Sequence, residues 1–313
     1  HILVLDIGTS STKAVIFDSE GSPVTLVRKN YPLLTPQPDW AEQDPRIVLK
    51  SVLEAIKEAY ESRPRGVSID AVSFSSQMYS ILALSAEGQP LSNSLIWSDR
   101  RSARIAETFR GLPQARAIYQ STGCPIDAIY PLSKIVWLKS SPQGEKASKF
   151  ISIKEYVLYH LIGDYVVDWS IASASGLFDI HQKEWHLQAL ELAGIKKNDL
   201  SSLVSPKTVF NRWNPEVIRE IGIPQGTPCV IGGGDGALAS TGVGAVGEGI
   251  AAVNVGASAA ARYMTPEPMI DPLGRLWTYL IDEGWWVIGG IVSSGGVVYD
   301  WFIRNVWAGE SFP

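Results

Sequence analysis

The segment Asp6-Ile7-Gly8-Thr9-Ser10-Ser11-Thr12-Lys13 lies between two short apolar runs, Ile2–Leu5 and Ala14–Phe17. This order predicts a buried strand, a tight bend and a second strand, because Gly8 lets the chain turn with little steric cost. The hydroxyl groups from Thr9 to Thr12, with the backbone N–H groups of the bend, form a concavity that suits an anion. The segment therefore predicts a phosphate-binding strand–bend–strand unit, and an ordinary polar hairpin turn is the alternative.

Two charged residues extend this prediction. Lys13 supplies a point charge toward a phosphate, and Asp6 stands where a carboxylate can hold hydrated Mg²⁺. The residues predicted to bind phosphate are Gly8, Thr9, Ser10, Ser11, Thr12 and Lys13. Asp6 is predicted to hold magnesium through water molecules.

A second bend of the same kind occurs late in the chain. The segment Leu3–Ser10 aligns with Ala251–Ser258, and in each an apolar strand ends in a polar residue, an apolar residue, glycine and small residues. Two copies of one unit indicate two related lobes that face a single cleft. We therefore expect Gly256, Ala257 and Ser258 to contact the other end of a polyphosphate.

A glycine-rich stretch, Gly232-Gly233-Gly234-Asp235-Gly236, follows the apolar run Cys229–Ile231. Glycines allow a backbone or ligand to approach closely, and one carboxylate is left projecting. Such a carboxylate suits a group that takes or orients the proton of a hydroxyl nucleophile. Asp235 is therefore the predicted catalytic residue, and a glycine-rich turn with a helix-capping aspartate is the alternative.

Aromatic and polar residues combine at two further places, Ser76–Tyr79 and Trp97–Arg101. An aromatic face can cover the C–H groups of a sugar, while amide, carboxylate and guanidinium groups bind its hydroxyls. The alternative is a core tryptophan with solvated arginines. The residues predicted to bind a sugar from these two segments are Gln77, Met78, Tyr79, Trp97, Asp99 and Arg100.

Composition argues against several other classes of protein. The 313 residues carry a net charge of -5 without a run of like charges, which disfavours a nucleic-acid or anionic-membrane surface. No apolar stretch reaches membrane-spanning length, no signal peptide is visible, and the two cysteines stand in no metal or redox spacing. These features predict a cytoplasmic protein, and the length favours two domains.

Two nucleotide-binding motifs are disfavoured by pattern. The chain has no G-x-x-x-x-G-K-[ST] sequence, which excludes a P-loop kinase. Gly242–Gly247 fits G-x-G-x-x-G, but a predicted helix precedes it and a predicted strand follows it, which is the wrong order for a dinucleotide fold. An oxidoreductase built on this motif is therefore a remote alternative.

Together and in this order, these segments resemble the FGGY carbohydrate kinases, a family that includes glycerol kinase, xylulokinase and gluconokinase. Asp6–Lys13 resembles the first phosphate motif of the family, Asn254–Ser258 resembles the second, and Leu95–Arg100 resembles its apolar-Trp-x-Asp-x-Arg segment. Asp235 falls on the catalytic aspartate of the family. Tyr130 falls where glycerol kinase places a substrate-contacting tyrosine, which implies a further sugar-binding residue.

Within the family, Ser73–Met78, Gly274–Tyr279 and Trp286–Gly290 are most similar to the gluconokinase pattern. One position departs, because family members often carry histidine after Gln-Met and this chain has Tyr79. The resemblance implies a kinase that uses ATP and Mg²⁺ to phosphorylate a sugar or sugar acid, with gluconate to 6-phosphogluconate as the favoured reaction. Xylulokinase or another polyol kinase is the alternative, and a catalytically silent sugar-binding regulatory protein is the alternative of another class.

The resemblance also implies an α/β fold of the actin-like, ribonuclease-H-like kind, in which two lobes of mixed sheets and flanking helices face a cleft. Residues 1–243 would form the N-terminal, sugar-binding lobe and residues 244–313 the beginning of the C-terminal, nucleotide-binding lobe. Family members continue with an adenosine-binding segment, so we expect an incomplete C-terminal lobe that binds ATP poorly. A homodimer is left open.

Overall fold

The computed structural model describes residues 1–256, 258–292 and 295–307. The strands are β1 Ile2–Ile7, β2 Ser11–Phe17, β3 Pro23–Asn30, β4 Glu42–Gln43, β5 Ala71–Ser76, β6 Leu82–Leu84, β7 Ser94–Leu95, β8 Lys149–Ile151, β9 Val166–Asp168, β10 Phe178–Asp179, β11 Glu184–Trp185, β12 Ser202–Val204, β13 Val209–Phe210, β14 Cys229–Gly234, β15 Ala251–Val255, β16 Ala259–Thr265, β17 Trp277–Asp282 and β18 Trp285–Val292. The α-helices are α1 Pro45–Ser62, α2 Ala103–Arg110, α3 Ala115–Thr122, α4 Pro131–Lys139, α5 Ile153–Ile162, α6 Trp169–Ser173, α7 Leu187–Ala193, α8 Pro215–Ile221, α9 Asp235–Gly242 and α10 Gly296–Asn305. Within these ranges no helix is both long and apolar enough to span a lipid bilayer.

A six-stranded mixed sheet organises the first part of the chain, in the order β13-β14-β5-β1-β2-β3. Strands β1, β5 and β14 are parallel, while β2, β3 and β13 pair antiparallel with their neighbours. Leu3, Leu5 and Ile7 lie on one face of β1 and are fully buried. The carboxyl ends of the three parallel strands therefore meet at one edge of the sheet.

Helix α1 covers one face of this sheet. The side chain of Asp44 accepts a hydrogen bond from the backbone N–H of Arg46, and Pro45 fills the first helical position, where its missing N–H costs nothing. Val48 and Val52 recur on the buried face of the helix and join the core beneath the sheet. Helix α1 is therefore packed through its buried face onto one side of the sheet.

A four-stranded antiparallel sheet follows residue 243, in the order β15-β16-β18-β17. Its first two strands, like β1 and β2, form an antiparallel hairpin, so both predicted strand–bend–strand units are confirmed. Helix α9 precedes Gly242–Gly247 and β15 follows it, which is the order that disfavoured a dinucleotide fold.

One hydrophobic core extends across the predicted lobe boundary. Trp277, Tyr279 and Leu280 of β17 belong to the same buried cluster as Tyr130 and Ile171. The backbone N–H of Leu280 also donates to the Ser173 hydroxyl of α6 (3.1 Å). The second sheet is therefore packed against the first part of the chain through β17, and the division at residue 243 stays a prediction.

Candidate active site

Three parallel strands end side by side at the edge where the candidate site lies. Asp6 of β1 stands opposite Ser75 of β5, and Ser75 stands opposite Gly233 of β14. Asp235 follows β14 directly, as the first residue of α9. Ligands of open α/β sheets bind in crevices outside the carboxyl ends of the strands, so this edge is the candidate active site.

The bend between β1 and β2 is supported from beneath by side-chain donors. The carbonyl oxygen of Gly8 accepts hydrogen bonds from Tyr31 Oη (2.7 Å), Gln43 Nε2 (3.2 Å) and Gln77 Nε2 (3.1 Å). Gln77 Nε2 also donates to Gln43 Oε1 (2.7 Å). Because Gln77 is only 2% exposed and its amide is used in this network, it positions the phosphate bend, and its contact with a sugar stays a prediction.

The four hydroxyl residues of the bend do not share one environment. Ser10 is exposed and Thr9 is half-buried, whereas Ser11 and Thr12 are buried. Thr9 Oγ1 accepts a hydrogen bond from Trp97 Nε1 (3.3 Å), so the bend and the predicted sugar-binding tryptophan touch directly. Thr9 and Ser10 are therefore the hydroxyl residues of the bend that a phosphate can reach.

Asp6 and Lys13 face one another across the first hairpin. Lys13 Nζ lies 3.0 Å from Asp6 Oδ2, and Ser75 Oγ donates to Asp6 Oδ1 at 3.2 Å. Magnesium in phosphoryl-transfer sites is held by one or two carboxylates, by water and by substrate phosphates. The partly exposed carboxylate of Asp6 beside the bend fits this donor set, and the described residues include no cluster of three or more acidic, His or Cys side chains that could hold a metal by themselves.

Glycines bring Asp235 to the same edge. Gly232 has φ +65°, and a Cβ atom there would lie 1.9 Å from the carbonyl oxygen of Phe74. A Cβ atom on Gly234 would lie 2.7 Å from Cγ of Met78. The backbone of β14 can therefore approach β5 and the Met78 side chain only because these positions have no side chain.

Protein groups on both sides of the cleft act on the carboxyl of Asp235. Its side chain is open to solvent, yet the surrounding protein removes part of its hydration, which raises its pKa to about 6. The hydrogen bond from the N–H of Gly236 (2.6 Å) opposes this rise, the negative charge of Asp6 adds to it, and Arg262 and Lys13 oppose it. The register of β1, β5 and β14 places Asp235 at the same sheet edge as the phosphate bend, and its catalytic role stays a prediction.

In the second predicted sugar-binding segment, Trp97–Arg101, some side chains are exposed and others are buried. Trp97 is 44% exposed, whereas Asp99 is fully buried. Both carboxylate oxygens of Asp99 accept hydrogen bonds from Arg101, with Nη2–Oδ2 at 2.6 Å. Arg100 points outward and pairs with Asp127 (2.9 Å). Trp97 therefore offers a surface to a ligand, and Asp99 acts as the internal partner of Arg101; the predicted sugar contacts of Asp99 and Arg100 stay predictions.

The backbone of Tyr79 is held in a left-handed conformation, with φ +67°. Lys134 Nζ, fully buried, donates to the carbonyl oxygens of Tyr79 (3.0 Å), Ile96 (2.7 Å) and Ile129 (2.9 Å). Burial lowers the pKa of Lys134 to about 7. One ammonium group thus joins the two predicted sugar-binding segments, and the conformation of Tyr79 depends on it.

Tyr279, a residue that the sequence does not identify, contacts both Tyr79 and Tyr130. Tyr279 Oη lies 3.2 Å from Tyr79 Oη and 3.0 Å from Tyr130 Oη. Burial raises the pKa of all three hydroxyls above the usual value for tyrosine, so they remain protonated. No spacing in the sequence marks Tyr279, because its two partners lie 200 and 149 residues away.

The second predicted phosphate bend joins β15 to β16. The N–H of Gly256 donates to the carbonyl oxygen of Ser258 (2.8 Å), and the N–H of Gly296, at the start of α10, donates to the carbonyl oxygen of Gly256 (2.6 Å). Gly256 is exposed and Ser258 is half-buried. Ala257, the third residue predicted here, lies outside the described residues.

Comparison with known families gives one match that covers most of the chain. The N-terminal domain of the FGGY family of carbohydrate kinases matches residues 1–242. Among curated proteins, the gluconokinase of Bacillus subtilis (strain 168) is 38% identical over 98% of this chain and 60% of its own length. A glycerol kinase of Thermococcus onnurineus (strain NA1) is 31% identical over 69% of this chain and 45% of its own length. The chain thus spans about 60% of the length of the first of these relatives.

Solved structures with the same fold include two from Lactobacillus acidophilus. A gluconate kinase superposes with a TM-score of 0.94 at 32% identity, over 99% of this chain and 63% of its own. A ligand-bound xylulose kinase superposes with a TM-score of 0.94 at 33% identity, with the same coverage. The predicted fold class, a two-lobed α/β architecture of the actin-like kind, is therefore confirmed.

Proposed function

The chain belongs to the FGGY family of carbohydrate kinases, and we propose that the full-length protein transfers the γ-phosphoryl group of ATP to a hydroxyl of gluconate, giving 6-phosphogluconate. The observation that carries this proposal is the position of Asp235 directly after β14, at the same sheet edge as the carboxyl end of β1, which leads into the phosphate bend. The similarity to gluconokinases supports the choice of substrate.

Asp235 is the proposed acceptor or orienting group for the hydroxyl proton. With a pKa of about 6 it is largely deprotonated at neutral pH while remaining basic enough to attract a proton. The hydroxyl oxygen forms a bond to the γ-phosphorus atom, the bond from that phosphorus to the bridging oxygen of the β-phosphate breaks, and ADP leaves. The proton of the hydroxyl passes to Asp235 and then to solvent.

The two bends are proposed to bind the phosphates of the nucleotide. Thr9, Ser10 and Lys13 offer hydroxyl, N–H and ammonium donors on one wall, and Gly256 and Ser258 offer a second turn. Fixed donors of this kind stabilise charge as it develops in the transition state without reorganising. Their separation on two sheets fits a polyphosphate held at both ends.

Magnesium is the proposed metal cofactor, with Asp6 as the residue that holds it through water. When bound, Mg²⁺ neutralises charge on the phosphates of the nucleotide. Lys13 lies 3.0 Å from the Asp6 carboxylate and holds it in position beside the bend. Asp235 stays free of this pair and remains available to the acceptor hydroxyl.

The remaining site predictions form part of the same proposal. Met78, Tyr79 and Trp97 would contact the sugar, with Gln77 and Tyr130 positioned behind them. We also propose that residues 1–243 form the sugar-binding lobe and residues 244–313 the first part of the nucleotide-binding lobe. A reducing, cytoplasmic location is supported by the free, buried thiols Cys124 and Cys229.

A transfer assay with the full-length protein tests the proposal. Labelled γ-phosphate of ATP is offered with gluconate, xylulose or glycerol at equal concentration, and we expect kcat/KM to be highest for gluconate. Preferred transfer to xylulose would support the second candidate, xylulokinase, which the similarity to a xylulose kinase at 33% identity favours. No transfer to any of the three, together with binding of a sugar, would support the catalytically silent alternative.

A further inference from the structure

Arg262 of β16 has no ion-pair partner among the described residues, although its charge acts on the nearby carboxyl of Asp235. Its Nη1 donates to the side-chain oxygen of Asn254 (2.8 Å), and its Nε is buried with no hydrogen-bond partner within the described part of the chain. Among the described residues, no carboxylate lies within ion-pair distance of this guanidinium. A buried donor that lacks a partner is unfavourable, so this arrangement requires an explanation.

The edge of the guanidinium that Asn254 leaves free lies close to Gly236, the residue after Asp235. The point where a Cβ atom of Gly236 would stand lies 3.5 Å from Arg262 Nη2 and 3.7 Å from Nε. The same point lies 3.1 Å from Sδ of Met78, a residue predicted to contact the sugar. Because Gly236 has no side chain, the two donors that Asn254 leaves free can lie close to this residue, which follows Asp235 directly.

The other cations near the site are already engaged. Lys13 pairs with Asp6 at the phosphate bend, and Arg100 pairs outward with Asp127. Arg101 is buried against Asp99, and Lys134 donates to three backbone carbonyls. Among the described cations near the site, Arg262 is therefore the one that remains available to an anionic group of the substrate.

We propose that Arg262 binds the carboxylate of an acidic sugar through Nε and Nη2, and that it selects sugar acids over neutral sugars. This inference rests on the proposed kinase function and names the class of substrate for the same site. The planar fork of arginine matches the two oxygens of a carboxylate, which gives both strength and orientation. Asn254 fixes the guanidinium at Nη1, on the side opposite the Nε–Nη2 edge that lies near Gly236.

The position of Arg262 favours a substrate carboxylate over a phosphate of ATP. Its Nε and Nη2 lie near Gly236, where the Met78 side chain also approaches, whereas the first phosphate bend has its own cation in Lys13. Gly236 donates its N–H to Asp235, so the carboxylate of Asp235 and the fork of Arg262 lie on either side of one residue. A chain-like acid can therefore present a hydroxyl to Asp235 and its carboxylate to Arg262.

The test compares gluconate with glucitol, the neutral polyol that has a CH₂OH group in place of the carboxylate. Binding of each to the full-length protein is measured by calorimetry without nucleotide, for the wild type, Arg262→Met, Arg262→Lys and Arg65→Met. Arg65 is exposed and outside the cleft, so its variant controls for the loss of a positive charge. Thermal unfolding of each variant verifies folding.

We expect Arg262→Met to weaken gluconate binding at least about 30-fold while glucitol binding changes less than about threefold, because removing one partner of a desolvated charge pair costs several kcal/mol. Arg262→Lys should recover part of the affinity, since it keeps the charge and loses the fork. An equal loss for both ligands, or no loss for either, would overturn the assignment.

Transfer assays separate this inference from the proposed function. If the wild type phosphorylates gluconate but Arg262→Met loses turnover equally with gluconate and with neutral acceptors, the guanidinium serves the phosphoryl group and the carboxylate assignment is wrong. If the wild type transfers phosphate only to neutral sugars, the proposed gluconate reaction fails independently of Arg262.

Discussion

Asp235 and Asp6 stand two strands apart at one edge of the same sheet, and the negative charge of Asp6 adds to the effect of reduced hydration in raising the pKa of Asp235. Lys13 lies within ion-pair distance of Asp6 and acts on Asp235 in the opposite direction. The group that would hold magnesium, the group that would touch phosphate and the proposed base are therefore electrostatically linked before any ligand binds.

The titration of Asp235 gives the first prediction. In metal-free protein, carbon NMR of the labelled carboxyl should give a pKa near 6, and the Asp6→Asn variant should lower it, because the variant removes a like charge and leaves Lys13 unpaired. A control substitution of the distant, exposed Asp164 should leave the value unchanged. A rise, or no change, in Asp6→Asn would contradict the linkage.

Replacement of Asp235 itself should separate catalysis from binding. A general base commonly contributes 10²–10⁴-fold, so Asp235→Asn in the full-length protein should lower kcat by about that factor and leave gluconate affinity within a few-fold. Pre-steady-state transfer and calorimetry measure the two quantities. Near-normal turnover would show that another group takes the proton.

The same substitution should affect stability in a pH-dependent way. The folded-state pKa of Asp235 lies above its usual value, so ionisation of this carboxyl weakens the fold as the pH rises through about 6 and has no such effect below the unfolded-state value. Asp235→Asn should therefore stabilise the protein at pH 8, by on the order of 1 kcal/mol because the side chain is solvent-accessible, and not at pH 3.5. Urea unfolding at both pH values measures the difference; equal effects at the two would exclude this origin.

Much of this arrangement follows from local sequence patterns. Apolar runs that end in Asp6-Ile7-Gly8 or in Gly232–Asp235 predict strands with functional residues at their carboxyl ends, and the parallel pairing of β1, β5 and β14 brings those ends together. Glycine at position 232 is readable from sequence as a conformational requirement. The strands and bends that surround the candidate site were thus largely predictable, because each is a short contiguous motif.

What could not be predicted depends on contacts between distant segments. Gln77 has the same polar side chain whether it meets a sugar or the Gly8 carbonyl, and only the closeness of β1 and β5 decides. The packing of the second sheet brings Tyr279 to its two tyrosine partners and brings Arg262 close to Gly236. Helix α6, of five residues, is too short to show periodicity and is fixed by its Asp168 cap.

Two glycines of the same region should respond differently to alanine. At Gly232 a Cβ would overlap the Phe74 carbonyl oxygen at 1.9 Å and φ is +65°, so Gly232→Ala should destabilise by more than about 3 kcal/mol. At Gly242, in α9, a Cβ meets nothing within 4 Å, and alanine should be neutral or stabilising by up to about 1 kcal/mol. Chemical unfolding of both variants measures this, and comparable losses would contradict the steric explanation.

A buried ion pair behind the glycine-rich stretch gives a further prediction. Lys154 Nζ lies 2.6 Å from Asp168 Oδ2, both fully buried, and Asp168 accepts a hydrogen bond from Ser170, whose Oγ accepts the N–H of Gly234 (2.8 Å). Lys154→Met should cost about 3–5 kcal/mol because it leaves an uncompensated carboxylate. The double variant with Asp168→Asn should recover part of that loss.

The double-mutant cycle is measured by urea unfolding. Additive losses would show that the two charges do not compensate one another. Because the chain of hydrogen bonds ends at the residue before Asp235, Lys154→Met should also lower kcat more than it changes KM. A change confined to KM would indicate that the pair supports substrate binding instead.

The hydrogen-bonded hydroxyls of Tyr79, Tyr279 and Tyr130 give the last prediction, which depends on which hydroxyl lies between the other two. Tyr279 Oη is the central hydroxyl, bonded to both Tyr79 and Tyr130, so Tyr279→Phe leaves two buried hydroxyls without that partner, whereas Tyr130→Phe leaves one bond in place. At about 1 kcal/mol for each net hydrogen bond, Tyr279→Phe should destabilise roughly twice as much as Tyr130→Phe. Unfolding free energies of the two single variants and the double variant measure this, and the double variant should lose little more than Tyr279→Phe alone, because the bond to Tyr130 is already absent. Equal single losses that add in the double variant would mean that each hydroxyl contributes independently of this chain.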